Sequence, residues 1–252
     1  MSKELSKKSE ETALAAPMDE MFGGKVQMPV DATLPIIKIL RESPMFELPG
    51  GEVVKDITGH ILYWHNANQY YNTAFGEDQG PPTCTSSDGV MPDGGEQKQA
   101  QACRGCSMNQ YKSAGDGKGK ACQNQIRMYL LLDGEVIPCQ LRAAPSSLGR
   151  KDSLMTFLVS AANIASKAGI GTNYQPIKVK LSLHKKDFVS GFSASVIDVA
   201  PVRVLTMAVA EDAAHVKKLA ALYRDFMANY MSKIKDNLAG EHQVKEGDDC
   251  PI

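Results

Sequence analysis

The stretch of residues 76–119 constrains the fold of this chain more than any other part of the sequence. Gly, Pro, Ser, Asp and Gln dominate it and aliphatic residues are almost absent, so it cannot fold around an apolar core of its own. Four of the chain's six cysteines lie within it or just after it, at Cys84, Cys103, Cys106 and Cys122. Because four thiolates can close a tetrahedral zinc site, we predict a zinc-binding insertion at residues 76–125, stabilised by structural Zn²⁺.

The spacing of these cysteines leaves other interpretations open. Only Cys103 and Cys106 form a close CxxC pair, whereas two such pairs would be more specific for zinc. A redox CxxC belongs in a thioredoxin-like βαβ unit, which this sequence does not predict. Disulfides or unliganded thiols are a further alternative, although cytoplasmic thiols stay reduced. A deaminase-type catalytic zinc would need HxE and PCxxC motifs, and the sequence has neither.

The sequence outside the insertion predicts short strands and one internal helix. Asp133-Gly134, between two apolar runs, predicts a β-hairpin over residues 126–142. A serine pair at 146–147 offers an N-cap for a helix over 148–169, where apolar residues recur at helical spacing. The remaining strands are predicted over 34–40, 53–65, 69–75, 177–186 and 192–209, with a break near Pro201 in the last.

The order of these elements favours a small barrel. Five strands with a helix between the third and the fourth is the order of the OB-fold, although other small α+β folds share it. We therefore predict an α+β, mainly β chain, with an OB-like five-stranded barrel over residues 33–210 that carries the zinc-stabilised insertion. An amphipathic C-terminal helix is predicted at 211–239, and an acidic tail at 240–252.

Neither end of the sequence predicts a membrane protein. Residues 1–32 mix charge with Ala and Ser and lack a continuous apolar run, which is typical of a disordered arm rather than a signal peptide. No run approaches the roughly 18 apolar residues that a membrane span needs, so we expect a cytoplasmic protein without a membrane partner.

Charge is distributed unevenly along the chain. Residues 100–186 contain 13 Lys and Arg against four acids, whereas beyond residue 235 five acids face one lysine. A basic body with an acidic tail suggests a polyanionic partner for which the tail competes. A solvated surface with a solubilising tail is the alternative.

Single strands are bound by cationic grooves with aromatic side chains on which bases stack, and the sequence offers candidates for both. Neighbouring strand residues point to opposite faces, so only one of Tyr63 and Trp64, and one of Tyr70 and Tyr71, can face a ligand. The predicted nucleic-acid contacts are Trp64, Tyr70, Tyr71, Lys118, Lys120, Arg127, Tyr129, Arg142, Lys178 and Lys180. Each of them alone could equally be a core aromatic or a solvated cation.

Known catalytic motifs are incomplete or absent in this sequence. The loop "AGDGKGKAC" at 114–122 departs from the phosphate-binding GxxxxGK[ST], because Ala114 replaces the first Gly and Ala121 replaces the Ser or Thr. Neither GxSxG nor HExxH occurs. The sequence therefore favours a non-catalytic protein, with a metal-dependent nucleic-acid enzyme as an alternative.

The last residues, "DDCPI", resemble the acidic tip of bacterial and phage single-stranded DNA-binding proteins. The resemblance implies that Asp248 and Asp249 meet basic residues of a replication or recombination protein, while Pro251 and Ile252 fill a pocket on it. Cys250 and Ile252 depart from the family pattern, which has an aliphatic residue and an aromatic end there. A zinc-bearing insertion in an OB-fold is similar to replication proteins of some tailed phages, which would act in the host cytoplasm.

These observations together predict a non-catalytic single-stranded DNA-binding protein that protects strands and recruits enzymes of replication or recombination. A zinc-containing recombination mediator or strand-annealing protein, assembling into rings or filaments, is the nearest alternative. The C-terminal helix could mediate such self-association or simply pack on the core.

Overall fold

A computed structural model describes residues 34–40, 43–73, 81–115, 117–135, 137–169, 177–188, 191, 193–206 and 208–214. The predicted N-terminal arm, most of the C-terminal helix and the acidic tail lie outside these ranges. Residues 210–214 are helical. Among the described residues, no helix has the length and apolar character needed to cross a membrane.

Within the described ranges the chain forms nine strands and, besides the helical residues 210–214, one α-helix. The strands are β1 Ile36–Ile39, β2 Phe46–Glu47, β3 Val53–Val54, β4 Asp56–Tyr70, β5 Cys84–Ser86, β6 Gln123–Leu132, β7 Cys139–Ala143, β8 Ile177–Asp187 and β9 Ser193–Val204. The helix, α1, spans Ser153–Lys167 between β7 and β8.

All strands belong to one sheet in the order β3-β2-β1-β7-β6-β4-β8-β9, with β5 paired to the far end of β4. Neighbours are antiparallel except β1 and β7, which are parallel. The sheet curls, and the mainly β fold is barrel-like. At Gly59, a Cβ atom would lie 2.3 Å from the carbonyl oxygen of Leu131, so only glycine lets β4 approach β6 this closely.

One apolar core lies between the curled sheet and α1. Alternate residues of each central strand enter it, as the two-residue period of a strand requires. Its most buried members include Ile57, Ile61, Ile126, Met128, Leu130, Leu141, Leu154, Phe157, Ile177, Val179, Leu181 and Ile197. Burial of this apolar surface is the main force that holds the sheet to the helix.

The predicted hairpin is confirmed, since β6 and β7 pair antiparallel with Leu130 opposite Cys139. Its connection covers residues 133–138 and is therefore longer than a two-residue turn. Gly134 has φ +82°, a left-handed conformation that glycine adopts without strain. The Asp133 backbone N–H donates to the carbonyl of Thr58 at 3.1 Å, which ties the connection to β4.

The predicted start of the helix is wrong. Residues Pro145–Ser147 form a separate 3-10 turn, because proline fixes its first position and Leu148 N–H closes it on the Pro145 carbonyl at 3.1 Å. The helix begins at Ser153 after Asp152, whose carboxylate accepts the Gly149 N–H at 2.9 Å.

The other strands match the sequence in part. The alternation predicted for 177–186 is confirmed in β8, where Ile177, Val179 and Leu181 are buried. The expected break near Pro201 is only a register irregularity, because β9 continues through it beside β8. The strand predicted at 53–65 is divided into β3 and β4 at Lys55, and the strand predicted at 69–75 ends at Tyr70 as part of β4. The short β2 and β5 were not predicted.

Candidate nucleic-acid interface and cysteine cluster

The side of β4, β6 and β7 opposite the core is polar and aromatic. Tyr63 lies opposite Tyr129 across β4 and β6, and His65 lies opposite Arg127. Arg127 in turn lies opposite Arg142 on β7. Cross-strand partners share a face of the sheet. We call this surface the polar face; its residues are Tyr63, His65, Gln69, Gln125, Arg127, Tyr129, Gln140 and Arg142.

Three rings form a stack on the polar face. The Tyr63 and Tyr129 ring centroids are 6.0 Å apart with 29° between the planes, and those of His65 and Tyr129 are 5.7 Å apart with 19°. Tyr129 is fully buried, whereas Tyr63 keeps 39% of its surface exposed. Tyr129 packs beside Tyr63 and, because it is buried, cannot itself meet a base, which corrects the contact predicted for it.

The contact predicted for Trp64 is corrected as well. Trp64 is half-buried and packs against the apolar core. The irregularity in β4 between Ile61 and Tyr63 shifts the alternation, so that Tyr63 joins the polar face and Trp64 the core. The exposed aromatic of this pair is therefore Tyr63.

His65 is held as a neutral imidazole. Its Nδ1 lies 2.8 Å from the backbone carbonyl oxygen of Asn66, which can only accept, so Nδ1 carries the proton. The Tyr129 hydroxyl then donates to Nε2 at 3.0 Å. Burial lowers the pKa of His65, and the positive charge of Arg127 lowers it further, against the hydrogen bond to Asn66.

The polar side chains beside this stack are incompletely satisfied. The Gln69 side-chain oxygen accepts from Gln125 Nε2 at 3.1 Å and from Arg142 Nη1 at 3.5 Å. Gln125 Oε1 and Arg127 Nε are buried and lack a hydrogen-bond partner within the described part of the chain. Such groups cost on the order of 1–3 kcal/mol each unless a ligand or water pairs with them.

Two arginines on neighbouring strands repel each other here. Arg142 is exposed to solvent on one side, yet the sheet beneath it and the charge of Arg127 lower the pKa of its guanidinium, while Tyr71 raises it. Like charges held together in this way favour an anion between them. Tyr71 therefore lies close to the polar face, and its contact with nucleic acid stays a prediction.

The predicted lysines of β8 lie on the same side of the sheet. Lys178 and Lys180 stand opposite His60 and Thr58 of β4, in line with the polar face. Each is paired with an acid at 2.8 Å, Lys178 with Asp133 and Lys180 with Asp56. The sheet lysines are thus partly neutralised, unlike Arg127 and Arg142, for which the described residues show no ion pair.

The four predicted cysteine ligands meet at one place. Cys84, Cys103, Cys106 and Cys122 all line one cavity of about 20 Å³, beside the end of β4 at Asn68 and Tyr70. This volume is close to that of a single water or a small ion. All four are free thiols. Tyr70, predicted as a base contact, lines this cavity and pairs opposite Cys84.

The thiols influence one another electrostatically. Burial raises the pKa of Cys122 to about 12, together with the neighbouring sulfurs of Cys103, Cys106 and Cys84. Burial raises the pKa of Cys84, and so do Cys103, Cys106 and Asp93, against a hydrogen bond with the backbone of Gln99. As the side chains are placed, no three His, Cys, Asp or Glu groups of the described residues stand at metal-binding spacing. The four cysteines therefore surround a cavity, but their sulfurs are not at the spacing of a metal site.

Backbone hydrogen bonds hold the cluster in place. Cys103 N–H donates to the Val90 carbonyl at 2.9 Å, and Cys122 N–H donates to the Met108 carbonyl at 2.8 Å. Gly95 has φ +96°, and a Cβ atom there would lie 2.6 Å from the Cα of Cys84. The insertion is thus packed tightly around the cysteines although it has few aliphatic residues.

The predicted Lys118 and Lys120 lie on the surface of the insertion. Lys120 Nζ donates to the side-chain oxygens of Asn109 at 3.2 Å and Asn124 at 3.0 Å. Nearby, Tyr111 is 71% exposed, an aromatic that we did not predict as a contact. Its only sequence signal is its position beside Lys112 in an apolar-poor segment.

The predicted partner contacts Asp248, Asp249, Pro251 and Ile252 lie outside the described residues. Comparisons with family models, curated proteins and solved structures found no significant match to this chain.

Proposed function

We propose that this protein is a non-catalytic single-stranded DNA-binding protein whose polar face holds the strand. The observation that carries this proposal is the face itself: an exposed tyrosine supported by stacked rings, beside two arginines and buried polar atoms that lack partners. A base stacked on Tyr63 and phosphates held by Arg127 and Arg142 would use each of these features.

The strand pairing supports an OB-like assignment. Five strands, β4, β6, β7, β8 and β9, follow the OB order with α1 between the third and the fourth. OB-folds bind oligonucleotides on their second and third strands and in the loop between the first two. With β4 as the first strand, the polar face lies on β6 and β7, and the cysteine insertion is that loop. The chain differs in that β1 occupies the free edge of β7.

We further propose that the cysteine cluster holds one structural Zn²⁺. Cys84, Cys103, Cys106 and Cys122 would be its ligands, and binding would draw their sulfurs inward around the cavity that they already line. A bound zinc would supply folding free energy to a segment with few aliphatic residues. Elemental analysis of the purified chain is expected to find about one zinc per chain. A zinc-free but fully folded insertion would overturn this assignment.

The proposed role in recruitment rests on the tail. Residues 248–252 carry two acids, a proline and an apolar residue, the chemistry of a peptide that docks to a basic, pocketed partner. The partners proposed for it are enzymes of replication or recombination.

A binding titration with fluorescent single-stranded and duplex DNA over a salt series tests the main proposal. We expect preference for the single strand and a steep loss of affinity with salt, because phosphate contacts release counterions. Arg127→Met combined with Arg142→Met should reduce the salt slope by about 0.7 for each lost phosphate contact.

Lys178→Met is the matched control, because Lys178 is already paired with Asp133. The salt slope of this variant should change less than that of the double arginine variant. Absence of binding at low salt would overturn the proposal, and metal-dependent cleavage of the strand would favour an enzyme instead.

A further inference from the structure

The segment that spans the last three cysteines of the cluster, Cys103 to Cys122, has an exposed basic surface that is separate from the polar face. We call residues 103–122 the knuckle. It contains Arg104, Lys112, Lys118 and Lys120 against one acid in its sequence, and all four cations are exposed. Arg104, Lys112 and Lys120 form no ion pair with any acid among the described residues.

Three lysines of β8 differ from the cations of the knuckle because each is paired with an acid. Lys178, Lys180 and Lys186 each sit 2.5–2.8 Å from a carboxylate, so an incoming phosphate would have to displace an acid there. On the knuckle a phosphate would meet Arg104, Lys112 and Lys120, for which the described residues show no carboxylate partner. The knuckle therefore brings three such cations together in one short segment.

The knuckle also presents an aromatic side chain to solvent. Tyr111 is 71% exposed, more than Tyr63 at 39%, the other exposed aromatic among the described residues. Because most of its ring is open to solvent, the ring contributes little to stability and is available for a base to stack on. Lys112, directly after it, has φ +73°, a left-handed conformation that is unusual for a residue with a side chain.

The turn that carries Tyr111 is fixed to the cysteine cluster. The Ser113 hydroxyl donates to the Met108 carbonyl at 2.8 Å, and its oxygen accepts the Ala121 N–H at 2.9 Å. Asn109 Nδ2 donates to the Cys103 carbonyl at 2.8 Å. Because these bonds join the turn to residues next to Cys103 and Cys122, a closed cluster would hold Tyr111 in place before a ligand arrives.

From this surface we infer that the knuckle is a second contact for the single strand, on which Tyr111 stacks with a base while Arg104, Lys112 and Lys120 hold phosphates. The inference rests on the proposed strand-binding function and extends it from the polar face to the insertion. It also gives the cysteine cluster a role in binding, since the cluster positions the turn.

Binding of a single strand of about 16 nucleotides, the upper site size of one OB domain, is the test. Tyr111→Ala should raise the dissociation constant about 5- to 150-fold, the equivalent of the roughly 1–3 kcal/mol of one stacked base. Tyr111→Phe should bind like the unchanged protein, because the ring is kept. Val90→Ala is the matched control, since Val90 is 62% exposed in the same insertion.

Two further measurements separate the outcomes. Tyr63→Ala reports on the polar face, so weaker binding by Tyr63→Ala with unchanged binding by Tyr111→Ala would overturn the knuckle contact and leave the proposed function standing. Failure of the unchanged protein to bind any strand would overturn both. Photocrosslinking to a bromouracil-containing strand, followed by mass spectrometry, should label Tyr111; labelling confined to other residues would contradict the inference.

Discussion

At the scale of single residues, one irregularity in β4 decides which aromatic is available. Tyr63 and Trp64 are neighbours and must face opposite sides of the sheet. Their sequence alone does not say which of them faces the core. The register irregularity after Ile61 sends Trp64 to the core and Tyr63 to the polar face. Two adjacent aromatic residues are therefore expected to respond differently to the same substitution.

Tyr63→Ala should weaken single-strand binding about 5- to 150-fold, since one stacked base contributes roughly 1–3 kcal/mol. Tyr63→Phe keeps the ring and should bind normally. Trp64→Ala should instead lower the free energy of unfolding by about 3 kcal/mol or less, as expected for a partly buried tryptophan, with little change in affinity of the folded protein. Fluorescence anisotropy and urea unfolding measure the two effects. The reverse pattern would contradict the assignment of faces.

A second residue-scale prediction concerns His65. Its pKa is lowered in the folded protein from the ordinary 6.5, so below pH 6.5 the unfolded chain takes up a proton before the folded one. The stability contributed by the neutral ring is complete above pH 6.5 and is lost as the pH falls, by up to about 1.4 kcal/mol per pH unit.

His65→Gln should remove this part of the pH dependence, which urea unfolding at pH 7.5 and 5.5 would detect. An identical pH dependence in both proteins would show that His65 is not held neutral by burial.

At the scale of elements, the insertion is ordered without an apolar core. Its close packing depends on positions where no side chain fits, above all Gly95 against Cys84 and Thr83. It is joined to the sheet, because β5 pairs with β4 through Cys84 and Tyr70. The cysteine cluster and the sheet are therefore coupled, and disturbing one is expected to disturb the other.

Gly95→Ala should open the cluster. The left-handed backbone costs about 1–2 kcal/mol for alanine, and the new Cβ would also displace Cys84. We expect faster proteolysis of residues 81–122 and lower zinc content. Gly105→Ala is the matched control, because a Cβ atom at Gly105 meets nothing within 4 Å. Equal protection of the two variants would show that the approach of Gly95 to Cys84 is unimportant.

At the scale of the whole molecule, the sheet separates an apolar side from a polar side. Its inner side is an apolar core closed by α1, and its outer side carries the polar face, with the insertion at one end of β4. Ten of the 13 cations of residues 100–186 lie on β6, β7, β8 and the knuckle, and the other three flank or end α1. Acids beside β8 cancel part of this charge. In the proposed function, the acidic tail would compete for what remains.

A chain ending at Glu246 should bind single strands as tightly as the full chain or more tightly, because the tail's negative charge no longer competes for the basic surface. The effect should be largest at low salt, where screening is weakest. Paired titrations of both chains at low and moderate salt measure it. Weaker binding after truncation would mean that the tail contributes to the strand contact.

The local elements were predictable because their causes are local. Strict alternation marked β8, the Asp133-Gly134 pair marked the hairpin, and helical spacing marked most of α1. The four cysteines that the sequence analysis grouped line one cavity, and their binding of zinc stays a prediction. The start of α1 was missed because Pro145 begins a separate turn that competes with the helix for the serines.

The sequence by itself thus determined the order of strands and helix, the uneven charge and the four cysteines as a group. Only the tertiary structure decided which residues share a face, because register and the irregularity in β4 depend on pairing between distant strands. It placed Tyr63 on the polar face and Trp64 against the core, buried Tyr129 beside Tyr63, paired Lys178 and Lys180 with acids, and left Tyr111 exposed. Those outcomes depend on neighbours far apart in the chain, and no local pattern encodes them.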